Sequence, residues 1–246
     1  MALVEPIPGE PAATADLGDE RALVVADYHA GIEDHLRYEQ GINLDSRAGE
    51  RRDAMATLLD RTHPDRVVFL GDLMQSIAGP GGAERGEIEV LLESIDVPVT
   101  LVKGNHDGGV ESWIQCEVTP GDGARFGNVG FVHGHTWPSR DVLSADVICV
   151  GHEHPCVRLK DSVGGSRVER VWLRGGLNPE PFEAHVGDDL TADGELIVFP
   201  AFNDLTGGTW VNVEGQGFLA PFLPDGLVDG EAYLLNGTRL GSYGSV

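Results

Sequence analysis

The chain of 246 residues is 41% hydrophobic, so it is long enough to bury a full core and is not disordered throughout. Its 40 acidic residues outnumber its 17 basic residues and give a formal net charge of −23. A surface this negative disfavours a broad basic face of the kind that follows a phosphate backbone. We expect one domain that spans residues 1–246.

The first half of the chain alternates apolar runs with helical patterns. Four runs are predicted to be strands, and the first two are predicted to pair as a hairpin: residues 12–15, 21–26, 66–70 and 97–102. Helices are predicted over residues 46–61, with Ser46 as the N-cap, and over residues 84–95. Three of the strands end just before a residue of a metal-ligand type, and strand-helix-strand folds build their sites at that edge.

The second half of the chain has a different pattern of short strands and turns. The predicted strands are residues 129–132, 147–150, 156–159, 168–173, 196–199, 210–213 and 232–235. Residues 175–193 are rich in glycine, proline and acidic residues and are predicted to form a long loop, with a weak helical signal at 182–184. We therefore predict a second sheet that packs on the first, with helices outside.

Five short segments concentrate metal-ligand residue types, and six of the nine histidines lie in them. In chain order the segments are Asp27-Tyr28-His29, Gly71-Asp72, Gly104-Asn105-His106-Asp107, His133-Gly134-His135 and Gly151-His152-Glu153-His154. On an extended chain, side chains two residues apart point the same way, so Asp27 and His29 can chelate one ion. The Asp72 carboxylate has two oxygens and can bridge two ions. An amide oxygen at Asn105, beside imidazole and carboxylate groups, favours manganese or iron over zinc.

Each segment alone is weak evidence, because a single histidine is more often a core or surface residue than a ligand. The occurrence of all five segments after predicted strands, in this order, predicts a metal centre. His106 follows Asn105 directly and can face a substrate instead of a metal. Strand alternation predicts that Glu153 points away from the histidines on either side of it and is not a ligand.

The order of these motifs resembles the calcineurin-like metallophosphoesterase family over about residues 21–155. Further segments, at residues 41–42, 174–179 and 199–203, are similar to a prokaryotic branch that includes the DNA-ligase-associated phosphoesterases. The resemblance implies an α/β (α+β) fold, namely a four-layer α-β-β-α sandwich of two mixed sheets. It also implies a metal site at the C-terminal ends of the strands.

The resemblance implies a cofactor of two divalent transition metal ions, with manganese expected first and iron, zinc or nickel as alternatives. The first metal would be bound by Asp27, His29, Asp72 and His154. The second metal would be bound by Asp72, Asn105, His133 and His152. A hydroxide that bridges the two metals would attack the phosphodiester, and His106 would donate a proton to the leaving oxygen or stabilise charge on phosphorus.

Three residues near the predicted ligands have roles that the sequence leaves open. Asp107 either orients His106 or caps its loop. Many family members have an aspartate where this chain has Gln75, and an amide can bond to an imidazole without raising its basicity as a carboxylate would. His135 contacts phosphate, contacts a metal-bound water or braces its loop, and we favour bracing.

Two classes of function follow from this pattern. The first is a hydrolase, a metal-dependent phosphoesterase that acts on a phosphodiester in a nucleic acid or a nucleotide. The second is a non-catalytic metal-binding scaffold or interaction module with the same fold. The complete ligand set and the presence of His106 favour the enzyme. Three arginines either bind a phosphate or pair with surface carboxylates: Arg140, Arg158 and Arg174.

The sequence also bears on the compartment. The three cysteines, Cys116, Cys149 and Cys156, contain no C-x-x-C pair and are predicted to be reduced core residues. The chain has no segment typical of a signal peptide and no apolar run long enough to cross a bilayer. We expect a cytoplasmic protein with no membrane contact, and the sequence indicates no particular protein partner.

The charge of −23 favours a salt-adapted protein over the alternative, an ordinary acidic protein, because dissolved salt screens the repulsion among the acidic side chains. We expect the free energy of unfolding to rise when the salt concentration increases from about 0.1 M to about 1 M, since the Debye length then falls from ~10 Å to ~3 Å. Urea denaturation at each salt concentration measures this change. Greater stability in low-salt buffer would contradict the hypothesis.

Overall fold

The computed structural model describes residues 2–77, 79–161, 163–187, 190 and 193–246. These residues form two β-sheets that pack face to face, with helices on the outer faces. The first sheet contains, in spatial order, β1 (Val4–Pro6), β2 (Ala12–Asp16), β3 (Arg21–Val25), β4 (Arg66–Phe69), β5 (Val99–Val102) and β6 (Glu117–Thr119). The α/β sandwich of two mixed sheets is therefore confirmed.

The second sheet has eight strands. They are β7 (Ala124–Phe126), β8 (Val129–Val132), β9 (Val147–Val150), β10 (Cys156–Lys160), β11 (Ser166–Leu177), β12 (Glu195–Val198), β13 (Leu227–Leu234) and β14 (Arg239–Ser242). Their spatial order is β14-β13-β11-β12-β9-β8-β7, and β10 pairs with β11.

Five α-helices lie in the described ranges: α1 (Ile32–Gln40), α2 (Ala48–Thr62), α3 (Gly82–Glu93), α4 (Arg140–Leu143) and α5 (Glu180–Val186). Short 3₁₀ turns occur at Val110–Ser112 and Tyr243–Ser245. Of the helices in these ranges, none is long and apolar enough to cross a bilayer.

Parallel pairing in both sheets determines where the strands end. Strands β3, β4, β5 and β6 run parallel in the first sheet, and β8, β9 and β12 run parallel in the second. The remaining pairs are antiparallel, including the predicted hairpin of β2 and β3. Because neighbouring parallel strands end at the same edge, the loops that follow them are close in space.

The alternation of side chains along the strands produces three apolar layers. In β3 and β4, Leu23 and Val67 face the helices, whereas Val24 and Val68 face the second sheet. The helices bury their own apolar face against the first sheet, through residues that include Met55 of α2 and Ile88 of α3. On the far side of the second sheet, α4 and α5 and a loop near Phe222 form the third layer.

Some sequence predictions about individual elements are wrong. Helix α2 begins at Ala48 with Arg47 at the N-cap, which has no side-chain capping bond, whereas the Ser46 hydroxyl accepts the Ala48 N–H at 3.3 Å. Residues 210–213 do not form a strand, because only Trp210 makes an isolated bridge, to Cys156. Helix α1 lies in a polar segment that the apolar pattern did not detect.

The predicted long loop at 175–193 is also shorter than expected. Strand β11 continues to Leu177 because it pairs with both β12 and β13, and α5 follows. Positions 188, 189, 191 and 192 of the predicted loop lie outside the described residues. The prediction of one domain over the whole chain stays a prediction.

Burial in the layer between the sheets indicates which aromatic side chains stabilise the fold. Phe131 on β8 is fully buried there, whereas Tyr38 on α1 is 82% exposed. We expect Phe131→Ala to lower the free energy of unfolding by about 3–5 kcal/mol, because it leaves a cavity between the sheets. Tyr38→Ala is the matched control and should change it by less than about 0.5 kcal/mol. Denaturant titration of both variants checks this, and equal effects would contradict the assigned packing.

Candidate metal centre

The predicted ligand segments follow strands that end at one edge of each sheet. Asp27 and His29 follow β3, Asp72 follows β4, and Asn105 follows β5. His133 follows β8, and His152 and His154 follow β9. The two sets of parallel strands therefore place their ligand-type residues at adjoining edges of the two packed sheets.

The side chains of these residues converge. Three groups have ligand atoms within 4.8 Å of one another: Asp27 with His29 and His154, His29 with Asp72 and His106, and Asp72 with His133 and His152. Asp72 belongs to two of these groups and so lies between the others. The structure thus brings together all the predicted histidine and aspartate ligands.

Distances between single atoms describe the centre more closely. His29 Nε2 lies 3.3 Å from His154 Nε2, and His154 Nε2 lies 3.3 Å from Asp27 Oδ1. His133 Nε2 lies 3.4 Å from Asp72 Oδ2 and 3.1 Å from Asn105 Oδ1. Asn105 therefore lies beside the group that contains Asp72 and His133.

The backbone at the ligand positions adopts a conformation that is uncommon for residues other than glycine. In the described ranges, seven such residues have a left-handed φ, and five of them are predicted ligands: Asp27, His29, Asp72, His152 and His154. This conformation is unfavourable for side chains with a Cβ and occurs mostly where surrounding structure enforces it. The concentration of these residues at one edge is typical of a functional site.

Backbone carbonyls orient two of the imidazoles. His133 Nδ1–H donates to the Leu70 carbonyl oxygen at 2.7 Å, and His154 Nδ1–H donates to the Gly207 carbonyl oxygen at 3.0 Å. In this tautomer the Nε2 atoms carry their lone pairs toward the centre. Metal-binding histidines usually have this kind of second hydrogen bond.

Two glycines leave the room that the carboxylates and imidazoles need. A Cβ added at Gly104 would overlap the Oδ1 atom and the backbone nitrogen of Asp72. A Cβ added at Gly71, which also has a φ of +75°, would overlap the His133 ring. Steric overlap therefore explains why glycine precedes both Asp72 and Asn105.

The two central carboxylates are buried and have only imidazoles as close basic partners. Asp27 is 0% exposed and Asp72 is 2% exposed. Within the described ranges, no arginine or lysine forms an ion pair with either one. Burial opposes their ionisation, but His154 and His133 hold the pKa of Asp27, and His133 and His29 that of Asp72, below the usual value.

The imidazoles differ in how the centre shifts their pKa. Burial, together with His154, lowers the pKa of His29 to about 4, and burial, together with His133, lowers that of His152 to about 4. These rings are neutral at pH 7, which is the form that binds a metal. Burial opposes the charged form of His133, but Asp72 raises its pKa to about 9. A bound cation would replace that proton, so the donor set fits divalent metal ions.

His106 borders the same space. Its Nδ1 contacts the backbone carbonyl oxygen of Gln75, its backbone N–H donates to Asp72 Oδ1 at 2.8 Å, and its Nε2 lies 3.8 Å from Asp72 Oδ2. The main chain of Gln75, rather than its amide, therefore orients the ring.

The Asp107 carboxylate makes its hydrogen bonds to backbone N–H groups and none to the His106 ring. The Asp107 carboxylate is fully buried and accepts the backbone N–H groups of Leu73 and Gly104 at 3.0 and 2.9 Å and that of Met74 at 3.3 Å. It thereby joins the two loops that carry Asp72 and Asn105. Burial and the neighbouring Asp72 raise the pKa of Asp107 to about 6. Of the two predicted roles, the geometry supports capping of the loop.

His135 lies beside the centre without a hydrogen bond that would explain it. Its ring centroid is 5.4 Å from that of His133, and its buried Nδ1 has no partner among the described residues. Its role stays a prediction. Glu153 is buried and points away from the centre as predicted, since its carboxylate accepts the Thr209 hydroxyl at 2.9 Å and the Leu219 N–H at 2.7 Å.

A match to a protein family agrees with this geometry. The calcineurin-like phosphoesterase family matches residues 20–156, which contain all the predicted ligands. The chain belongs to this family. The resemblance inferred from the motifs is therefore confirmed.

Two solved structures resemble this calcineurin-like phosphoesterase. The nuclease MPE of Pseudomonas putida is 17% identical over 96% of this chain and 100% of that chain, with a TM-score of 0.58. Yfce, a phosphoesterase from E. coli, is 16% identical over 89% of this chain and 96% of that chain, with a TM-score of 0.41. The likeness to MPE supports the fold. No curated protein matches the chain.

Asn203 supports the first ligand segment, and motif spacing alone did not assign it a role. Its buried amide donates from Nδ2 to the carbonyl oxygens of Tyr28 and His29 at 3.0 and 3.2 Å. Its Oδ1 accepts the Leu205 N–H at 3.0 Å. The segment 199–203 was noted for its resemblance to the prokaryotic branch, and this contact is a physical role for its last residue.

A buried ion cluster behind Tyr28 supports the same segment. Arg51 of α2 lies 2.7 Å from a Glu33 oxygen and 2.8 Å from a Glu87 oxygen, and its guanidinium lies over the Tyr28 ring. Glu87 also accepts the Gly31 N–H at 3.0 Å. Because Glu33 belongs to α1, which the sequence pattern did not reveal, this cluster was not predicted.

The steric role of Gly104 can be tested by substitution in this protein. We expect Gly104→Ala to weaken manganese binding at least about tenfold, because the added methyl group displaces the Asp72 carboxylate. Gly49→Ala on α2 is the control, since its Cβ meets nothing within 4 Å, and it should leave binding unchanged. Isothermal titration calorimetry measures both. Equal affinities would show that the Gly104 loop does not shape the centre.

Proposed function

We propose that this protein is a phosphodiesterase that uses two divalent transition metal ions. The convergence of Asp27, His29, Asp72, His133, His152 and His154 around a shared Asp72 carries this proposal. Membership of the calcineurin-like phosphoesterase family supports it.

The ligands divide between two sites. We assign Asp27, His29, Asp72 and His154 to one metal and Asp72, Asn105, His133 and His152 to the other. The three groups of close ligand atoms and the position of Asn105 Oδ1 beside His133 Nε2 support this division. The amide oxygen in the second set favours manganese, with iron, zinc and nickel as alternatives.

When bound, the two metals supply Lewis acidity, which lowers the pKa of water toward about 7 and offsets negative charge on phosphate oxygens. The protein's own contribution is geometric. Asp72 holds the two sites together, and the carbonyls of Leu70 and Gly207 keep the imidazole Nε2 atoms directed inward. The buried edges of the two sheets exclude water from behind the ligands.

We assign His106 as the group that donates a proton to the leaving oxygen. The Gln75 carbonyl oxygen accepts a hydrogen bond from Nδ1–H, so Nε2 is the atom that faces the centre, and it can transfer a proton from the doubly protonated ring. A main-chain carbonyl orients the ring without ionising, so the missing aspartate at position 75 does not remove this orientation. General-acid catalysis of this kind contributes about 10²- to 10⁴-fold to the rate.

A nucleic acid or a nucleotide is the proposed substrate. The nuclease MPE of Pseudomonas putida shares the fold, which supports a nucleic acid only by analogy. The alternative is a scaffold that binds metal without hydrolysis. Placement of the His106 ring beside Asp72, rather than on the surface, favours the enzyme, because a scaffold needs no proton donor there.

The assignment of His106 predicts a loss that depends on the leaving group. With added manganese and in high salt, we expect the native protein to hydrolyse bis(4-nitrophenyl) phosphate. We expect His106→Ala to lose about 10²- to 10⁴-fold in kcat toward an alkyl phosphodiester, which needs a proton on its leaving oxygen, and much less toward the nitrophenyl ester.

His35→Ala, on the exposed part of α1, is the control and should keep full activity. Steady-state kinetics of the three proteins test the proposal. Absence of metal-dependent turnover in the native protein would refute the enzyme. Full activity of His106→Ala on the alkyl diester would refute only the assigned proton donor.

A further inference from the structure

A pocket of about 350 Å³ shares a wall with the candidate metal centre. His154, one of the converging ligands, forms part of that wall, and Cys156, Arg170 and Ala201 form others. A substrate that extends past the His154 ring from the metals would reach this pocket. The sequence predictions did not include any residue of the pocket other than His154 as a site residue.

Arg170 supplies the pocket with a positive charge that has unused donors. The residue is half-buried on β11, and its Nη1 donates to the carbonyl oxygens of Ala201 and Phe202 at 2.8 and 3.2 Å. A guanidinium has five N–H groups. Both hydrogen bonds of Arg170 come from Nη1, so the N–H groups on Nε and Nη2 make none within the part of the chain that the structure describes.

The carboxylates of the pocket have other partners. Glu169 lies 3.1 Å from Arg167, and Asp204 lies 2.9 Å from Arg47. Arg170 forms no ion pair with the described residues, although the chain has 40 acidic side chains and only 17 basic ones. Asp204 acts on Arg170 electrostatically without a direct ion pair, so the free N–H groups of the guanidinium are available to an anionic ligand.

The three arginines considered from the sequence are placed differently. Arg174 is paired with Glu195 at 2.7 Å, and Arg158 lies over the Trp210 ring on the exposed side of β10. Arg140 is exposed on α4. None of the three lines the pocket beside the metal centre.

We propose that Arg170 binds a second phosphate group of the substrate, next to the phosphodiester that is cleaved. The pocket would then be a subsite for the adjacent nucleotide of a polynucleotide. A partly buried guanidinium makes charge-assisted hydrogen bonds to phosphate, and these are stronger than neutral ones. The inference rests on the proposed phosphodiesterase activity and narrows its substrate to a chain with at least two phosphates.

A purely structural role for Arg170 makes a different prediction. The loop that it bonds to is itself bonded to the first ligand segment, since Phe202 N–H donates to the Ala26 carbonyl and Asn203 N–H donates to the Asp27 carbonyl. If Arg170 only braced this loop, its loss would disturb the metal centre for every substrate. A phosphate contact affects only substrates that carry the second phosphate.

The test compares substrates that differ in this second phosphate. Arg170→Gln and Arg170→Lys are assayed with manganese on a single-stranded oligodeoxynucleotide, on an oligoribonucleotide and on bis(4-nitrophenyl) phosphate, which has one phosphate. We expect Arg170→Gln to lower kcat/KM on at least one oligonucleotide by about 10- to 100-fold, mainly through KM, as for loss of a charged hydrogen bond. The aryl diester should change by less than about threefold, and Arg170→Lys should be intermediate on the oligonucleotide.

Arg158→Gln removes the same charge outside the pocket and is the matched control, expected to match the native protein. The slope of log kcat/KM against log salt should also be shallower by about 0.7 for Arg170→Gln, as expected for one phosphate contact on a single strand. Thermal unfolding and manganese titration check that each variant keeps its fold and metals, and Arg170→Lys carries the comparison if Arg170→Gln unfolds.

Each other result has a distinct meaning. Equal losses on the oligonucleotides and the aryl diester would show that Arg170 only braces the loop, and no loss on any substrate would show that it has neither role. Either result overturns the subsite but leaves the phosphodiesterase in place. Failure of the native protein to hydrolyse any of the three substrates would refute the proposed function itself.

Discussion

The loops at the edge of the two sheets surround two buried carboxylates that, among the described residues, have no close basic partner other than imidazole. Asp27 and Asp72 lie in one cluster, and the cost of burying two negative charges together is large unless cations neutralise them. The imidazoles around them meet this need in part, because Asp72 keeps His133 protonated whereas His29 and His152 are neutral at pH 7. The local geometry therefore suits the binding of cations beside the two carboxylates.

The packing of the two sheets holds the loops of the candidate metal centre in place. Left-handed backbone at five predicted ligand positions is unfavourable, and a well-packed scaffold must enforce it. Three apolar layers supply that scaffold, with the strands ending where the strained loops begin. Asn203, Asp107 and the Arg51 cluster then hold individual loops through buried hydrogen bonds. The packing of the apolar layers therefore offsets the unfavourable backbone conformation of the loops at the edge of the sheets.

The negative surface and the proposed polynucleotide substrate place opposite demands on the protein. With a net charge of −23, the protein repels a polyanion at long range, and salt reduces that repulsion. Attraction must then come from short-range groups in the site itself. Arg170 is such a group, because it is partly buried and the neighbouring carboxylates are paired with other arginines. A salt-adapted phosphodiesterase would depend on contacts of this kind more than on a basic surface.

Sequence patterns predict most of the buried strands and the residues that converge at the candidate metal centre, because apolar runs that end in Asp, Asn or His carry both signals in adjacent residues. The sequence did not reveal α1, whose pattern is polar, and it predicted a strand at residues 210–213, where only an isolated bridge from Trp210 to Cys156 forms. The contact of the Gln75 carbonyl with His106, and the pocket that Arg170 and His154 line together, follow only from the folded structure. Every residue has a main-chain carbonyl, so a contact made by one cannot be recognised from residue types. Whether an arginine forms an ion pair depends on carboxylates that are distant along the chain.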